Sequence, residues 1–206
     1  MITLYYAQNT CALASHIALE DAGAAYSTRR IDFTANQQQS PAFLAVNPKG
    51  RVPAMVTGRG ILTESPAMLA FIAQTYPAAK LAPLDDPFAF AQVQSFNAYL
   101  CATLHVAHSH RMRGARWASE PASFEDMRRN VPRAVGACFD LIERDYLKGP
   151  WVMGEAYTIC DPYLFTFAQW LEGDGVDPAR IPNVIAHRQR MNERPSVRKA
   201  LAEEFA

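Results

Sequence analysis

The sequence predicts a small α/β domain followed by an all-helical domain. Strand and helix patterns alternate over the first eighty residues. After residue 88, apolar residues recur at steps of three and four, the spacing of one buried helix face. Residues 77–87 between these parts hold three prolines and two aspartates, a composition typical of a linker. We therefore place one domain at residues 1–78, a linker at 79–87 and a second domain at 88–206.

The elements of the first domain follow from local signals. The strands are rich in β-branched and aromatic residues, Gly23 supplies a stop for the first helix, and the pair Asn47-Pro48 indicates a turn. Pro66 lies in the first turn of the last helix, where its missing N–H costs nothing. The predicted order is a strand at 2–6, a helix from Leu13 to Ala22, a strand at 26–33, a turn at 47–50, strands at 52–56 and 61–63, and a helix at 65–76.

Helical spacing dominates the second domain, and no segment there indicates a strand. Thr158 and Asp161 form a pattern resembling a capping box, in which each side chain satisfies a free amide of the other, ahead of the apolar run at 162–167. Taken alone, this pattern indicates only the start of a buried helix. The clearest helical repeats are Phe90, Val93, Asn97, Leu100 and Leu104, and then Val131, Val135, Cys138, Leu141 and Ile142.

Composition excludes several classes of protein. The 206 residues include 20 basic and 20 acidic side chains and are 50% hydrophobic, which excludes a disordered or low-complexity chain. A nucleic-acid interface needs a strongly basic face. Arg111, Arg113 and Arg116 bring too little charge for one, so we expect no nucleic-acid partner.

The distribution of cysteine and charge predicts a cytoplasmic protein without a membrane partner. The four cysteines form no CxxC and no metal-ligand spacing, as is usual in a reducing compartment. Residues 1–19 lack the basic start of a signal peptide. Residues 87–110 carry no formal charge and are long enough to span a bilayer, yet they are too polar for its core. We interpret this segment as a largely buried helix.

Short motifs recur along almost the whole chain. They are Tyr5-Tyr6, CALASHIAL (11–19), AVNPKGRVPA (45–54), LTESPA (62–67), Leu104-His105, WVMG (151–154), YTICDPYLF (157–165) and RMNERP (190–195). In this order they resemble the bacterial beta-class glutathione transferases. The resemblance implies a thioredoxin-like N-terminal domain, an all-α C-terminal domain, a homodimer, and glutathione as co-substrate for a small electrophile.

Cys11 is the leading candidate for the catalytic residue. It lies between the first strand and the first helix, and amides at a helix N-terminus stabilise a thiolate. In the family the equivalent cysteine faces the glutathione sulfur and can form a mixed disulfide with it. The structural alternative is a small buried apolar side chain, which is how we interpret Cys101, Cys138 and Cys160.

The resemblance also implies a glutathione site in the first domain. Val52 would pair its backbone with the cysteinyl part of glutathione, ahead of a cis-proline at Pro53. Ser65 and the amides that follow it would bind the γ-glutamyl carboxylate, although serine there is also an ordinary helix cap. Glu64 would accept from the ligand's ammonium group. Arg51 and Lys49 would meet the glycyl carboxylate, or remain solvated surface charges.

Histidines supply the remaining candidates. His105 matches a histidine near the thiol site of the family, while a lone helical histidine is more often a packing residue. His16 lies about one turn after Cys11 and is a candidate for orienting the site. His105, His108 and His110 do not share one helix face, so we expect no metal.

Three questions stay open at this level. The enzyme can conjugate glutathione to electrophiles or perform thiol–disulfide exchange, and without a CxxC the resolving thiol would be glutathione itself. A hydroxyl can replace Cys11 as activator, the candidates being Tyr5, Tyr6, Thr10 and Ser15. The chain can also be a non-catalytic relative, although the candidate glutathione residues are all present. The electrophile would lie near Tyr5, Ala7, His105 and residues 112–117.

Overall fold

Four strands form one mixed sheet near the start of the chain, in a computed structural model that describes residues 1–205. The sheet order is β2-β1-β3-β4, with β2 parallel to β1 and the other neighbours antiparallel. The strands are β1 (Ile2–Tyr6), β2 (Tyr26–Arg30), β3 (Ala54–Thr57) and β4 (Gly60–Thr63).

Helices make up the rest of the regular structure, so the predicted fold class, a thioredoxin-like domain followed by an all-α domain, is confirmed. Residues 100–104 and 142–146 are π-helical continuations of the helices before them. The helices are α1 (Ala12–Asp21), α2 (Pro41–Leu44), α3 (Ser65–Thr75), α4 (Pro87–Tyr99), α5 (His105–Ser109), α6 (Pro121–Leu141), α7 (Cys160–Ala168), α8 (Pro182–Asn192) and α9 (Pro195–Glu204).

Three predicted details of the first domain are wrong. Strand β2 ends at Arg30 because its partner β1 ends at Tyr6, the last paired residue. Strand β3 begins at Ala54, after the proline, because Ala54 is the first residue that pairs with β1. The short helix α2 was not predicted, although Ser40 caps it by accepting from the Phe43 amide at 3.2 Å.

Two buried helices form the centre of the molecule. In α1 every side chain from Ala12 to Leu19 is buried, and in α7 every side chain from Cys160 to Ala168 is buried. The two helices pack against each other, and one continuous apolar core joins the sheet to the helical part. The first turns of α1 and α7 are therefore held in fixed relative positions.

The carboxylate of Asp161 organises the start of α7. It is fully buried and accepts from the backbone amides of Val152 at 2.9 Å and Thr158 at 2.7 Å. Nε2 of His187 on α8 lies 3.0 Å from it. The capping box is confirmed in one direction only, because the Thr158 hydroxyl accepts from the Cys160 amide rather than from that of Asp161.

The prediction of a largely buried helix at 87–110 is wrong for the single chain. One face of α4 and its continuation is exposed, with Phe88 at 75%. The sequence shows only that this segment carries no charge. A helix can bury one face and expose the other without any charged residue on the exposed face, which explains the wrong prediction. The buried side chains are Val93, Phe96, Asn97, Leu100, Leu104 and Ser109. In the described part of the chain no helix combines the length and apolar character needed to cross a membrane.

We predict that Asp161→Asn lowers the free energy of unfolding by about 3–5 kcal/mol, because the amide cannot accept from all of these buried donors. Urea unfolding at fixed protein concentration measures the loss. The matched control is Asp86→Asn, since Asp86 caps α4 at an exposed position where asparagine caps equally well. A loss below about 1 kcal/mol for Asp161→Asn would contradict this role.

The buried carboxyl group of Glu204 leads us to predict that the free energy of unfolding depends on pH. Its side chain is 1% exposed, and Oε1 has no hydrogen-bond partner. The pKa of the carboxyl is raised from 4.5 to about 7 because burial outweighs a hydrogen bond from the Asn9 amide, which lowers it. A carboxyl with a raised folded pKa destabilises the fold as pH rises from 4.5 through 7. We expect Glu204→Gln to gain about 1–3 kcal/mol at pH 8 and little at pH 4.

The exposed Glu155→Gln is the matched control for that comparison. Thermal or urea unfolding of the three proteins at both pH values gives the result. An equal effect of Glu204→Gln at pH 4 and pH 8 would show that Glu204 is not the titrating group.

Candidate active site

A cavity of about 1100 Å³ lies between the loops of the sheet domain and the helices of the second domain. The loops after β1, before β3 and before α3 form one wall. The other is formed by the π-helical segment 100–104, α5 with the loop after it, and α7 with the residues that follow it. Its lining brings together the predicted residues Thr10, Cys11, Lys49, Arg51, Val52, Pro53, Glu64, Ser65 and His105.

Cys11 lies at the N-cap position of α1, as predicted, and its side chain is partly buried. Sγ makes no capping hydrogen bond to the helix amides. It lies 3.7 Å from the carbonyl oxygen of Val52, to which the thiol donates. The helix N-terminus is therefore not used to hold a sulfur anion in this state.

The surroundings of Cys11 disfavour the thiolate, because they raise the pKa of its thiol. The pKa is raised from 9.0 to about 11, mainly by burial and also by the neighbouring Cys101 and Glu64, although the Ser65 side chain lowers it. At pH 7 a thiol with this pKa is ionised in about one molecule in 10⁴. Desolvation outweighs the helix N-terminus here, so Cys11 is a hydrogen-bond donor at neutral pH.

The segment before β3 presents backbone groups to the cavity. The Val52-Pro53 peptide bond is cis, as the resemblance implied. The buried Asn47 side chain donates to the Arg51 carbonyl at 2.5 Å and fixes the turn before it. Gly50 has φ 61°, and an added Cβ would lie 3.1 Å from the Gln38 carbonyl oxygen, so this position favours glycine.

Glu64 and Ser65 begin α3 at the edge of the cavity. Glu64 has φ 70° and ψ 118°, a conformation that non-glycine residues rarely adopt and that is found preferentially at functional sites. Its carboxylate lies 2.5 Å from Nζ of Lys49. Ser65 is buried, and its side chain faces Cys11 and Tyr163.

His105 faces the cavity from the start of α5. Its ring lies 5.3 Å from that of Phe167 and 5.7 Å from that of Trp170, measured between centroids. Burial lowers its pKa to about 4, and the positive charges of nearby groups, among them Arg116 and Arg51, act in the same direction. The imidazole is therefore neutral at pH 7.

Cys101 and Tyr163 are among the cavity residues that were not predicted. Cys101 packs against the hydrophobic core, as expected, but it also lines the cavity, whereas Cys138 and Cys160 are buried as expected. Cys101 lies four residues before His105, and this helical spacing places the two on one face. The hydroxyl of Tyr163 also reaches the cavity, and burial raises its pKa well above the usual value.

Several predicted residues lie outside the cavity lining. Tyr5 packs its ring against Phe43, with centroids 5.7 Å apart. His16 lies 3.1 Å from Glu203 on α9, because five residues of helix turn it about 140° away from Cys11. Tyr6, Ala7 and Ser15 are buried elsewhere, and the Thr10 hydroxyl donates to the Ala7 carbonyl at 2.7 Å. The candidate hydroxyl activators are thus absent from the lining or already bonded.

A group of potential metal ligands lies apart from the cavity. Among the described residues, ligand atoms of His16, Glu20 and Glu203 lie within 4.8 Å of one another. Lys199 lies 2.9 Å from Glu20, so a lysine ammonium already supplies positive charge there. The three histidines considered from the sequence do not form such a group in the described chain.

Comparison with known proteins identifies the family. Residues 1–74 match the N-terminal domain of glutathione S-transferases, and residues 103–195 match their C-terminal domain. The chain is 29% identical over 204 residues to glutathione S-transferase GstA of Escherichia coli O157:H7, covering 98% of both proteins.

Solved structures agree. A glutathione transferase homologue from Sulfitobacter with bound glutathione is 45% identical, with a TM-score of 0.96 over 100% of this chain and 99% of the other. The beta-class enzyme of Sphingomonas chungbukensis is 31% identical, with a TM-score of 0.86 over 98% of each chain. The chain belongs to the glutathione S-transferase family.

Proposed function

We propose that this protein is a beta-class glutathione transferase that conjugates glutathione to small electrophiles, with Cys11 acting as a neutral hydrogen-bond donor. The observation that carries this proposal is the position of Cys11 on a cavity lined by every residue implied for glutathione, where burial raises the pKa of its thiol. Similarity to the Sulfitobacter homologue, whose structure holds glutathione, supports the ligand.

Glutathione would lie along the wall formed by the first domain. Its γ-glutamyl carboxylate would meet Ser65 and the first amides of α3, where a helix N-terminus favours an anion. Its ammonium group would meet Glu64, and its glycyl carboxylate would meet Lys49 or Arg51. The Val52 backbone would pair with the cysteinyl residue as an added strand does.

The role of Cys11 follows from its protonation. When Val52 pairs with glutathione, the thiol that now donates to the Val52 carbonyl is free to donate to the glutathione sulfur. Such a bond stabilises the glutathione thiolate. The thiol proton of glutathione passes to water, the thiolate attacks the electrophilic carbon, an S–C bond forms, and the leaving group departs with its electron pair.

His105 would act in this step without exchanging a proton. Its pKa of about 4 lies far below neutral pH, so it is a poor general base there. A neutral imidazole beside the cavity can still donate one hydrogen bond and so hold the glutathione sulfur or the electrophile in place. Thiol–disulfide exchange is the weaker alternative, because it needs a Cys11 thiolate.

We also propose a cytoplasmic homodimer. The exposed face of α4 carries no formal charge and includes Phe88, which a second copy of the chain would cover. Free thiols at all four cysteines agree with a reducing compartment.

We predict that Cys11→Ala lowers kcat/KM for glutathione and 1-chloro-2,4-dinitrobenzene by about 10- to 100-fold, since a hydrogen bond to a charged group contributes about 1.5–3 kcal/mol. Cys11→Ser keeps a donor and should stay within about fivefold of the parent. Cys138→Ala, which removes a thiol outside the cavity, is the matched control.

Initial rates and calorimetric binding of glutathione give the outcome. Equal loss in Cys11→Ala and Cys11→Ser would mean that the sulfur itself reacts, which contradicts the donor role. A parent protein that binds no glutathione would contradict the enzyme and favour a non-catalytic relative.

A further inference from the structure

The cavity carries an excess of positive charge that the whole chain does not have. The protein has 20 basic and 20 acidic residues. The cavity lining holds the cations Lys49, Arg51, Arg111, Arg113 and Arg116, against the single carboxylate of Glu64.

Two of these cations are neutralised by partners. Lys49 lies 2.5 Å from Glu64, and Arg111 lies 3.2 Å from the buried carboxylate of Asp174. Asp174 also lies 2.7 Å from Nδ1 of His108, so its charge is shielded from the cavity on two sides. Within residues 1–205 no ion pair forms to Arg51, Arg113 or Arg116.

The three arginines without ion-pair partners are exposed and line the same cavity. Partial burial lowers the pKa of Arg116, and the charges of Arg51 and Arg113 lower it further. Like charges held together without a counter-ion favour an anionic ligand at that point. A guanidinium group also matches the geometry of a carboxylate, to which it can donate two hydrogen bonds.

Glutathione does not use all of this charge. Under the proposed function, its glycyl carboxylate takes Lys49 or Arg51 on the wall of the first domain. Arg113 and Arg116 belong to the opposite wall, after α5, beside Met112 and Trp117. That wall therefore combines an apolar surface with two cations that glutathione leaves unpaired.

On the same wall, the side chains of His108 and Arg111 are held in place by packing and hydrogen bonds. The His108 ring stacks on Trp170 at 4.2 Å between centroids, with Nδ1 held by Asp174. Arg111 packs so closely over Gly173 that an added Cβ would lie 2.1 Å from its Nη1. Asp174 therefore holds Arg111 in place, which leaves Arg113 and Arg116 to bind an anion.

We propose that the electrophile taken by this site is an organic carboxylate with an apolar or aromatic body, and that Arg113 and Arg116 bind its carboxylate. This inference rests on the proposed glutathione transferase activity. It assigns the substrate class and two specificity-determining residues.

The test compares two electrophiles that differ in charge, 4-chloro-3,5-dinitrobenzoate and 4-chloro-3,5-dinitrobenzamide. Glutathione displaces chloride from both, and each kcat/KM is divided by the uncatalysed rate constant with glutathione. We expect the parent protein to prefer the benzoate by about 10-fold or more, and Arg113→Gln/Arg116→Gln to lower this preference at least about 10-fold.

Arg29→Gln/Arg59→Gln is the matched control, since both arginines are exposed outside the cavity and form no ion pair in the described chain. It makes the same change in net charge and should keep the preference. Calorimetry adds a readout that needs no turnover: with glutathione bound, 3,5-dinitrobenzoate should bind about tenfold more tightly than 3,5-dinitrobenzamide, and lose this advantage in Arg113→Gln/Arg116→Gln.

The outcomes separate the two proposals. Equal use and equal binding of the charged and neutral compounds by the parent would overturn the carboxylate inference while leaving the transferase intact. The inference is also overturned if the double variant loses glutathione affinity but keeps the benzoate preference, because the two arginines would then serve glutathione. Absence of conjugation with both compounds counts against the proposed function alone, and calorimetry still decides the anion preference.

Discussion

The buried Asp161 carboxylate is the interaction on which the rest of the structure depends. It joins the loop at Val152, the start of α7 and His187 of α8 at one point. An unpaired buried carboxylate would cost several kcal/mol, so this set of bonds forms together or not at all. Because α7 packs along α1, fixing its first turn also fixes Tyr163 relative to Cys11, although the two residues lie in different halves of the chain.

The chemistry of the site depends on which of two opposing effects is larger at Cys11. A helix N-terminus contributes about 0.3–1 kcal/mol to an anion, up to about 2 kcal/mol when partly buried, whereas a shift of the pKa from 9.0 to about 11 corresponds to about 3 kcal/mol in the other direction. Burial therefore determines the protonation state. Burial also lowers the pKa of His105 and keeps its ring neutral. The positive charge of the cavity therefore comes from its arginines.

The sequence predicts the fold well where patterns are local. Strand alternation, Gly23 and Pro66 locate most elements of the first domain, and Ser40-Pro41 is a capping signal that would have located α2. The motif residues Cys11, Val52, Glu64, Ser65 and His105 do lie on one cavity. Helical spacing would have indicated that His16 turns away from Cys11 and that Cys101 shares a helix face with His105. The place of Tyr163 and the pKa of Cys11 depend on packing between distant elements, which no local pattern contains. The placement of Arg51 on the same cavity as Arg113 and Arg116 likewise depends on tertiary structure.

The most direct test of the account is the pH dependence of Cys11 alkylation by iodoacetamide, followed by peptide mass spectrometry with Cys11→Ala to assign the site. A thiol with a pKa of about 11 predicts a rate constant that rises about tenfold per pH unit between pH 6 and 9, with no plateau. A plateau below pH 7 would show that Cys11 is a thiolate at neutral pH, and would contradict its role as a neutral donor.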